Sequence, residues 1–158
     1  METEADTPWL SPTEQFAWHT HLAVTRMLAH QLERDLQPFG LSLGDYEVLV
    51  TLSESAAQRM RMNVLATAIF ESRSRLSHHI ARMENAGLVR RERCTSDLRG
   101  FYAILTDHGA RMMRTVAPHH ARAIRRHFTD LLSHEALAGL HTSLEIIEQH
   151  LHSLRDGR

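Results

Sequence analysis

Residues 72–105 leave this chain few ways to fold. Ser72 is a good N-cap, and Leu76, Ile80 and Met83 then recur at spacings of four and three, on one face of a helix. Gly87 stands where a helix-ending glycine belongs. Residues 88–93 and 101–105 read as two short strands. They flank the polar turn Cys94-Thr95-Ser96-Asp97-Leu98-Arg99-Gly100, which predicts a hairpin. A helix with one apolar face, running straight into a hairpin, must bury that face on elements from elsewhere in the chain.

The flanking sequence supplies them. Ser11-Pro12-Thr13-Glu14 is a capping box with proline in the first turn, and Trp18, Leu22, Ala29, Leu32 and Leu36 follow with mostly helical spacing. Pro38 and Gly40 stop this first helix near Gln37. Ser42 caps a second helix with Tyr46, Leu49 and Leu52 inward. A polar loop is expected at 55–59, then a short third helix capped by Asn63 and carrying Leu65, Ala66 and Ile69. Phe70-Glu71 makes the turn into the helix that Ser72 caps. Thr106 caps a long fifth helix with Met113, Val116, Ile124 and Phe128, which Pro118 should bend by removing one backbone donor. Ser133 caps the last helix, where Leu137, Leu140, Leu144, Ile147, Leu151 and Leu154 repeat at 3-4-3-4-3. Such a stripe suits either packing within the chain or a seam with a second copy. Long striped helices at both chain ends need a surface to pack on, and a second copy is the economical one. Residues 1–10 are polar and acidic, expected to be a mobile tail.

The expected fold is mostly α with a small β-hairpin wing. A winged helix-turn-helix at 41–106 joins a helical dimerisation region formed by 11–38 and 107–155.

Charge points the same way. All 18 basic residues are arginine, and nine of them fall within 59–101 against four acids, a net +5 in a chain whose formal net charge is −1. A basic segment in a near-neutral chain suits a nucleic acid. An α-helix fits the major groove of B-DNA, where arginine reads guanine through two hydrogen bonds. With Leu76, Ile80 and Met83 inward, the outward face offers Ser72, Arg73, Ser74, Arg75, Ser77, His78 and Arg82. The serines near the helix start suit phosphates. His79 is expected to pack beneath the helix. Arg99 at the hairpin tip suits a minor groove, and Asp97 is expected to hold Arg99 or an arginine at the start of the recognition helix.

In combination these segments resemble the multiple-antibiotic-resistance regulator (MarR) family. The resemblance rests on Gly40-Leu41-Ser42-Leu43, Ser72-Arg73-Ser74-Arg75-Leu76-Ser77, Arg82-Met83-Glu84-Asn85-Ala86-Gly87-Leu88-Val89-Arg90-Arg91, Asp97-Leu98-Arg99-Gly100 and Leu105-Thr106-Asp107-His108-Gly109. It implies a homodimeric transcriptional regulator, usually a repressor, that binds pseudo-palindromic double-stranded DNA. It also implies dimerisation through the terminal helices, here with Trp18, Leu22, Leu137, Leu140, Leu144, Ile147 and Leu151. A small-molecule effector bound between the two regions would relieve repression. Phe16, Trp18, Tyr46 and Met113 are candidates to line its pocket, though each also suits ordinary core.

Other readings are weaker. Thirteen histidines invite a zinc-responsive regulator of the same fold, with His30, His119 and His120 as candidate ligands. Relatives that sense zinc with histidines four apart on the fifth helix are not matched, because Ala123 and Ile124 stand four beyond His119 and His120. A metal-dependent hydrolase lacks a tight two-histidine motif with a third ligand, so no enzyme is expected. Cys94 is a single cysteine, so no disulfide framework arises, and no feature predicts a reactive thiol. No leader-like segment or apolar run of ~20 residues is present, so the expected compartment is the cytoplasm, with no membrane partner.

Overall fold

The computed structural model describes residues 9–94 and 100–156. The expected wing residues Asp97 and Arg99, and most of the expected tail, lie outside them. Six helices and a small sheet alternate as α1 (Pro12–Leu36), α2 (Leu43–Glu54), β1 (Arg59–Arg61), α3 (Met62–Ala68), α4 (Arg73–Asn85), β2 (Val89–Arg93), β3 (Phe101–Leu105), α5 (Asp107–His127) and α6 (His134–Asp156).

The caps predicted at Ser11, Ser42, Ser72, Thr106 and Ser133 form. Ser11 and Glu14 make a reciprocal capping box on α1, and Ser42 and Asp45 make another on α2. Ser72 Oγ accepts the Arg75 N–H and Thr106 Oγ1 accepts the Gly109 N–H. Ser133 Oγ accepts the Ala136 N–H at the start of α6. At the end of α4, Gly87 has φ 71°, and the N–H groups of Gly87 and Leu88 return to the carbonyls of Glu84 and Met83. That paired closure needs a left-handed residue, which glycine adopts without strain. α5 runs through Pro118 as one helix.

Two expectations need correction. The supposed polar loop ends in a strand, since β1 pairs antiparallel with β3 from Arg59↔Ile104 to Arg61↔Tyr102. The sheet is therefore three-stranded, in the order β1-β3-β2. Three residues with one apolar side chain between two arginines carry no period-two signal, and only the free edge of β3 makes them a strand. Asn63 is not a cap either. The cap position is Arg61, without a side-chain bond, because β1 runs directly into α3.

The core gathers Leu36 from α1, Val48, Leu49 and Leu52 from α2, Leu65 from α3, and Leu76, Ile80 and Met83 from α4. Val89, Ala103 and Leu105 of the sheet and Val116 of α5 complete it. The inward face of α4 is the predicted one. Most of α1 and nearly all of α6 lie open: Phe16 is 76% exposed and Ile147 54%. No described helix is long and apolar enough to cross a membrane.

Sheet and α5 meet closely at their junction. Thr106 Oγ1 donates to the Gly87 or Leu88 carbonyl, at 2.7 and 3.0 Å, and a Cβ on Gly109 would sit 2.1 Å from the Leu88 oxygen. Backbone cannot yield cheaply there, so Gly109→Ala should cost about 1–3 kcal/mol, read as a lower urea midpoint with an unchanged slope.

Candidate nucleic-acid interface

α4 presents Arg73, Ser74, Arg75, Ser77 and His78 to solvent while Leu76, Ile80 and Met83 are buried beneath them. The predicted division of this helix into a packed face and a basic face is therefore present. Ser72, at the cap, holds the first turn through Arg75.

Beside the start of α4 lies a cleft of about 440 Å³, lined by Arg61, Asn63, Arg73, Ser77 and Arg91 among others. Three elements deliver its arginines: β1, α4 and β2. The sequence reading did not place Arg61, Asn63 or Arg91 at the DNA-binding site. For the two arginines the only signal was the general positive charge, since β1 itself went unrecognised. Tyr102 on β3 organises the β1 arginines. Arg59 and Arg61 lie 4.7 and 5.7 Å from its ring centre, and Arg61 Nε donates to its hydroxyl at 3.4 Å. Arg91 is braced by Glu84, which accepts from its backbone N–H and its guanidinium at 2.8 Å. Those bonds hold the Glu84 carboxyl below its ordinary pKa.

Arg82 and His79 do something different. Among the described residues, Asp45 is the one polar or charged residue that is buried as a whole, at 2% exposure. Its carboxylate takes both terminal nitrogens of Arg82, at 2.9 and 3.0 Å, and His79 Nε2 at 2.9 Å, while also accepting the Ser42 N–H. Burial pushes the Asp45 carboxyl up, but its bonds to His79, Ser42 and Arg82 outweigh that and hold it well below the carboxylate range. The His79 ring is buried as expected. Its bond to Asp45 holds its pKa above the ordinary value, against the effect of burial, and the charges of Asp45 and Glu71 add to the rise. The guanidinium of Arg82, read from sequence as facing outward, is thus paired at the flank of α4, with its side chain 60% exposed.

A cavity of about 470 Å³ adjoins α2, where Leu32 of α1, Tyr46, Val50, Ile69, Phe70 and His120 meet. Of the candidate pocket residues Tyr46 lines it. Met113 packs half-buried on the core, and Phe16 and Trp18 stand on the open part of α1. His120 lies against the Tyr46 ring at 4.3 Å, its pKa lowered by burial, and His119 lies against Phe39 at 5.0 Å. His30 is exposed on α1. Among the described residues no group of three or more His, Cys, Asp or Glu side chains is placed to hold a metal ion. His30, His119 and His120 are therefore not assembled into a ligand set within one chain. Cys94 is buried at 1% exposure.

The Asp45 cluster carries an acid-stability consequence. A depressed carboxyl contributes stability that is full above its ordinary value of 3.8 and lost as pH falls through the folded value. Wild-type stability should drop below that point, with a shallower acid limb for Asp45→Asn. Asp45→Ala at neutral pH should cost about 3 kcal/mol, the low end for a broken buried pair because Arg82 keeps solvent access. Urea melts across pH measure both.

Comparison with known proteins agrees with this geometry. The sequence profile of the MarR family matches residues 41–101. No curated protein matches the chain in a sequence comparison. Among solved structures, AbsC, a MarR family transcriptional regulator from Streptomyces coelicolor, is 61% identical with a TM-score of 0.88, over 93% of this chain and 99% of that one. Sco3205 from the same organism, a MarR family transcriptional regulator in complex with DNA, is 40% identical with a TM-score of 0.88, over 92% of each chain. A mutant MarR from E. coli, complexed with operator DNA, is 18% identical with a TM-score of 0.75 over 87% of this chain and 99% of that one, a likeness of fold. With its three-stranded winged-helix core, the basic exposed face of α4 and these relatives, the chain belongs to the MarR family of transcriptional regulators and is not an enzyme.

Proposed function

We propose that this chain is a homodimeric, sequence-specific DNA-binding regulator, acting as a cytoplasmic repressor on a pseudo-palindromic site. The observation that carries the reading is the basic face of α4, with its buried underside and an arginine-lined cleft at its start. Sco3205, 40% identical, was crystallised with DNA, which supports the same use here. Arg73, Ser74, Arg75, Ser77 and His78 face the major groove in this reading. Ser72 supports them from the cap, and Arg61, Asn63 and Arg91 approach the neighbouring phosphates. Arg99, with Asp97 beside it in sequence, reaches the minor groove.

The open apolar side chains of α1 and α6 support the dimer. Leu144, Ile147 and Leu151 are each more than 40% exposed, in line with Phe16, Trp18 and Met27 on α1. Soluble monomers rarely display so many large apolar side chains together. Leu22, Leu137 and Leu140 join them in the seam. A two-fold dimer sets two copies of α4 about 34 Å apart, one turn of DNA. The cavity between α1, α2 and α5 adjoins both the DNA-reading and the dimerising parts, which suits a small-molecule effector that changes DNA affinity.

Titrating a labelled duplex from upstream of its own gene, at fixed salt with excess competitor, tests the reading. Selective binding is expected, and Arg75→Ala should reduce the selectivity by about 1–3 kcal/mol. Binding equal to that of a scrambled duplex, both for this region and for duplexes selected from a random pool, would overturn it. Ile147→Asp should convert the dimer to a monomer in sedimentation velocity and abolish selective binding. A wild-type protein that sediments as a monomer would remove the two-fold arrangement.

A further inference from the structure

His79 is placed between two carboxylates. Its Nε2 lies 2.9 Å from Asp45 Oδ1 and its Nδ1 lies 3.4 Å from Glu71 Oε1. The bond to Asp45 puts a proton on Nε2, and the Glu71 carboxylate beside Nδ1 favours a second proton there by charge, so the site suits the imidazolium. Loss of the Nδ1 proton would turn a lone pair toward the Glu71 carboxylate. The second Glu71 oxygen, Oε2, is already buried without a hydrogen-bond partner among the described residues. The charged groups around the ring are Asp45 and Glu47 from α2, Glu71 from the turn before α4, and Arg82 from α4 itself. Residue 44 is glycine, and a Cβ there would press on the ring, coming within 3.1 Å of its Cε1.

The geometry points to His79 and Arg82 as positioning residues that set the seat of α4 on α2 through Asp45, with protonated His79 also tying down the turn at Glu71. Both attachments are one turn apart on α4, on the flank between its buried and basic faces. A helix held at one stripe of apolar contacts can rock about it, and two charged attachments beside that stripe remove this freedom. Arg82 then serves DNA recognition by holding the helix that carries Arg73 and Arg75, its guanidinium being committed to Asp45. This inference rests on the DNA-binding reading and adds a pH dependence to it.

The test uses the full-length protein and two duplexes, one selected by the wild-type protein from a randomised pool and one scrambled. Failure to select any sequence would overturn the DNA-binding reading and this inference with it. Given a selected duplex, Arg82→Gln should weaken its binding about tenfold. It should leave the scrambled duplex's affinity and salt slope unchanged, because no phosphate contact is lost. Arg82→Lys should recover part of the loss. Weakening of both duplexes together with a shallower salt slope would make Arg82 a phosphate contact and overturn the positioning role, as would no change on either duplex. The ratio of selected to scrambled affinity should fall for wild type as pH rises from about 6 to about 9, through the raised imidazole value, and stay level for His79→Gln. A ratio that is level in wild type, or that falls equally in His79→Gln, would overturn the role of protonated His79. Far-UV dichroism and urea midpoints of each variant separate these effects from unfolding.

Discussion

A carboxylate buried as deeply as Asp45 is stable only if its lone pairs are filled, because desolvating an unpaired charge costs several kcal/mol. Here they are filled from three directions. The Ser42 N–H closes the first turn of α2, and His79 and Arg82 reach in from the middle of α4. One side chain thus both starts a helix and docks another. The apolar stripe of Leu76, Ile80 and Met83 supplies the burial that brings α4 to the core, but such contacts are non-directional. The charged attachments are directional, and they lie on the helix that carries the exposed basic face.

The arginines divide accordingly. Arg73 and Arg75 keep their guanidinium groups toward solvent, on a helix whose underside is closed. Arg82 and Arg91 are drawn to Asp45 and Glu84, and Arg59 and Arg61 are aligned by Tyr102. A basic surface made this way is partly pre-shaped. Arg59, Arg61 and Arg91, already held by an aromatic ring or an acid, lose less freedom when a phosphate arrives, whereas Arg82 stays on Asp45. Long-range attraction still comes from the net +5 of the segment, whichever partner each arginine holds.

The terminal helices follow a different constraint. α5 joins the core through Ala110 and Val116 and meets α1, where His127 approaches Asp35 at 3.0 Å. Among the described residues of α6, none is buried within one chain. Its Leu and Ile stripe has the period of a helix seam and stays uncovered within one chain. The cavity beside Tyr46 and His120 touches α1, α2 and α5, so anything filling it bears on these helices at once.

Helix limits, caps, the hairpin and the buried face of α4 were legible in the sequence, because each is set by neighbours within a few residues: a serine oxygen reaching the N–H three residues on, a glycine at φ 71°, an apolar repeat of three and four. The basic face of α4 followed from the same repeat. β1 was not legible, since Arg59-Met60-Arg61 becomes a strand only by pairing with β3, 43 residues away at Met60↔Ala103. Nor was the cleft that joins Arg61 to Arg73 and Arg91, for the same reason. The partners of Arg82 were hidden too. Its position on α4 is a local fact, but a carboxylate 37 residues earlier in the chain takes its guanidinium. The sequence by itself determined which segments are helices and which face of each is apolar, because those depend on short-range hydrogen bonds and periodicity. Only the tertiary structure decided which charges are spent inside the protein and which remain for DNA, because that depends on which oxygen the fold brings within three ångströms of each arginine.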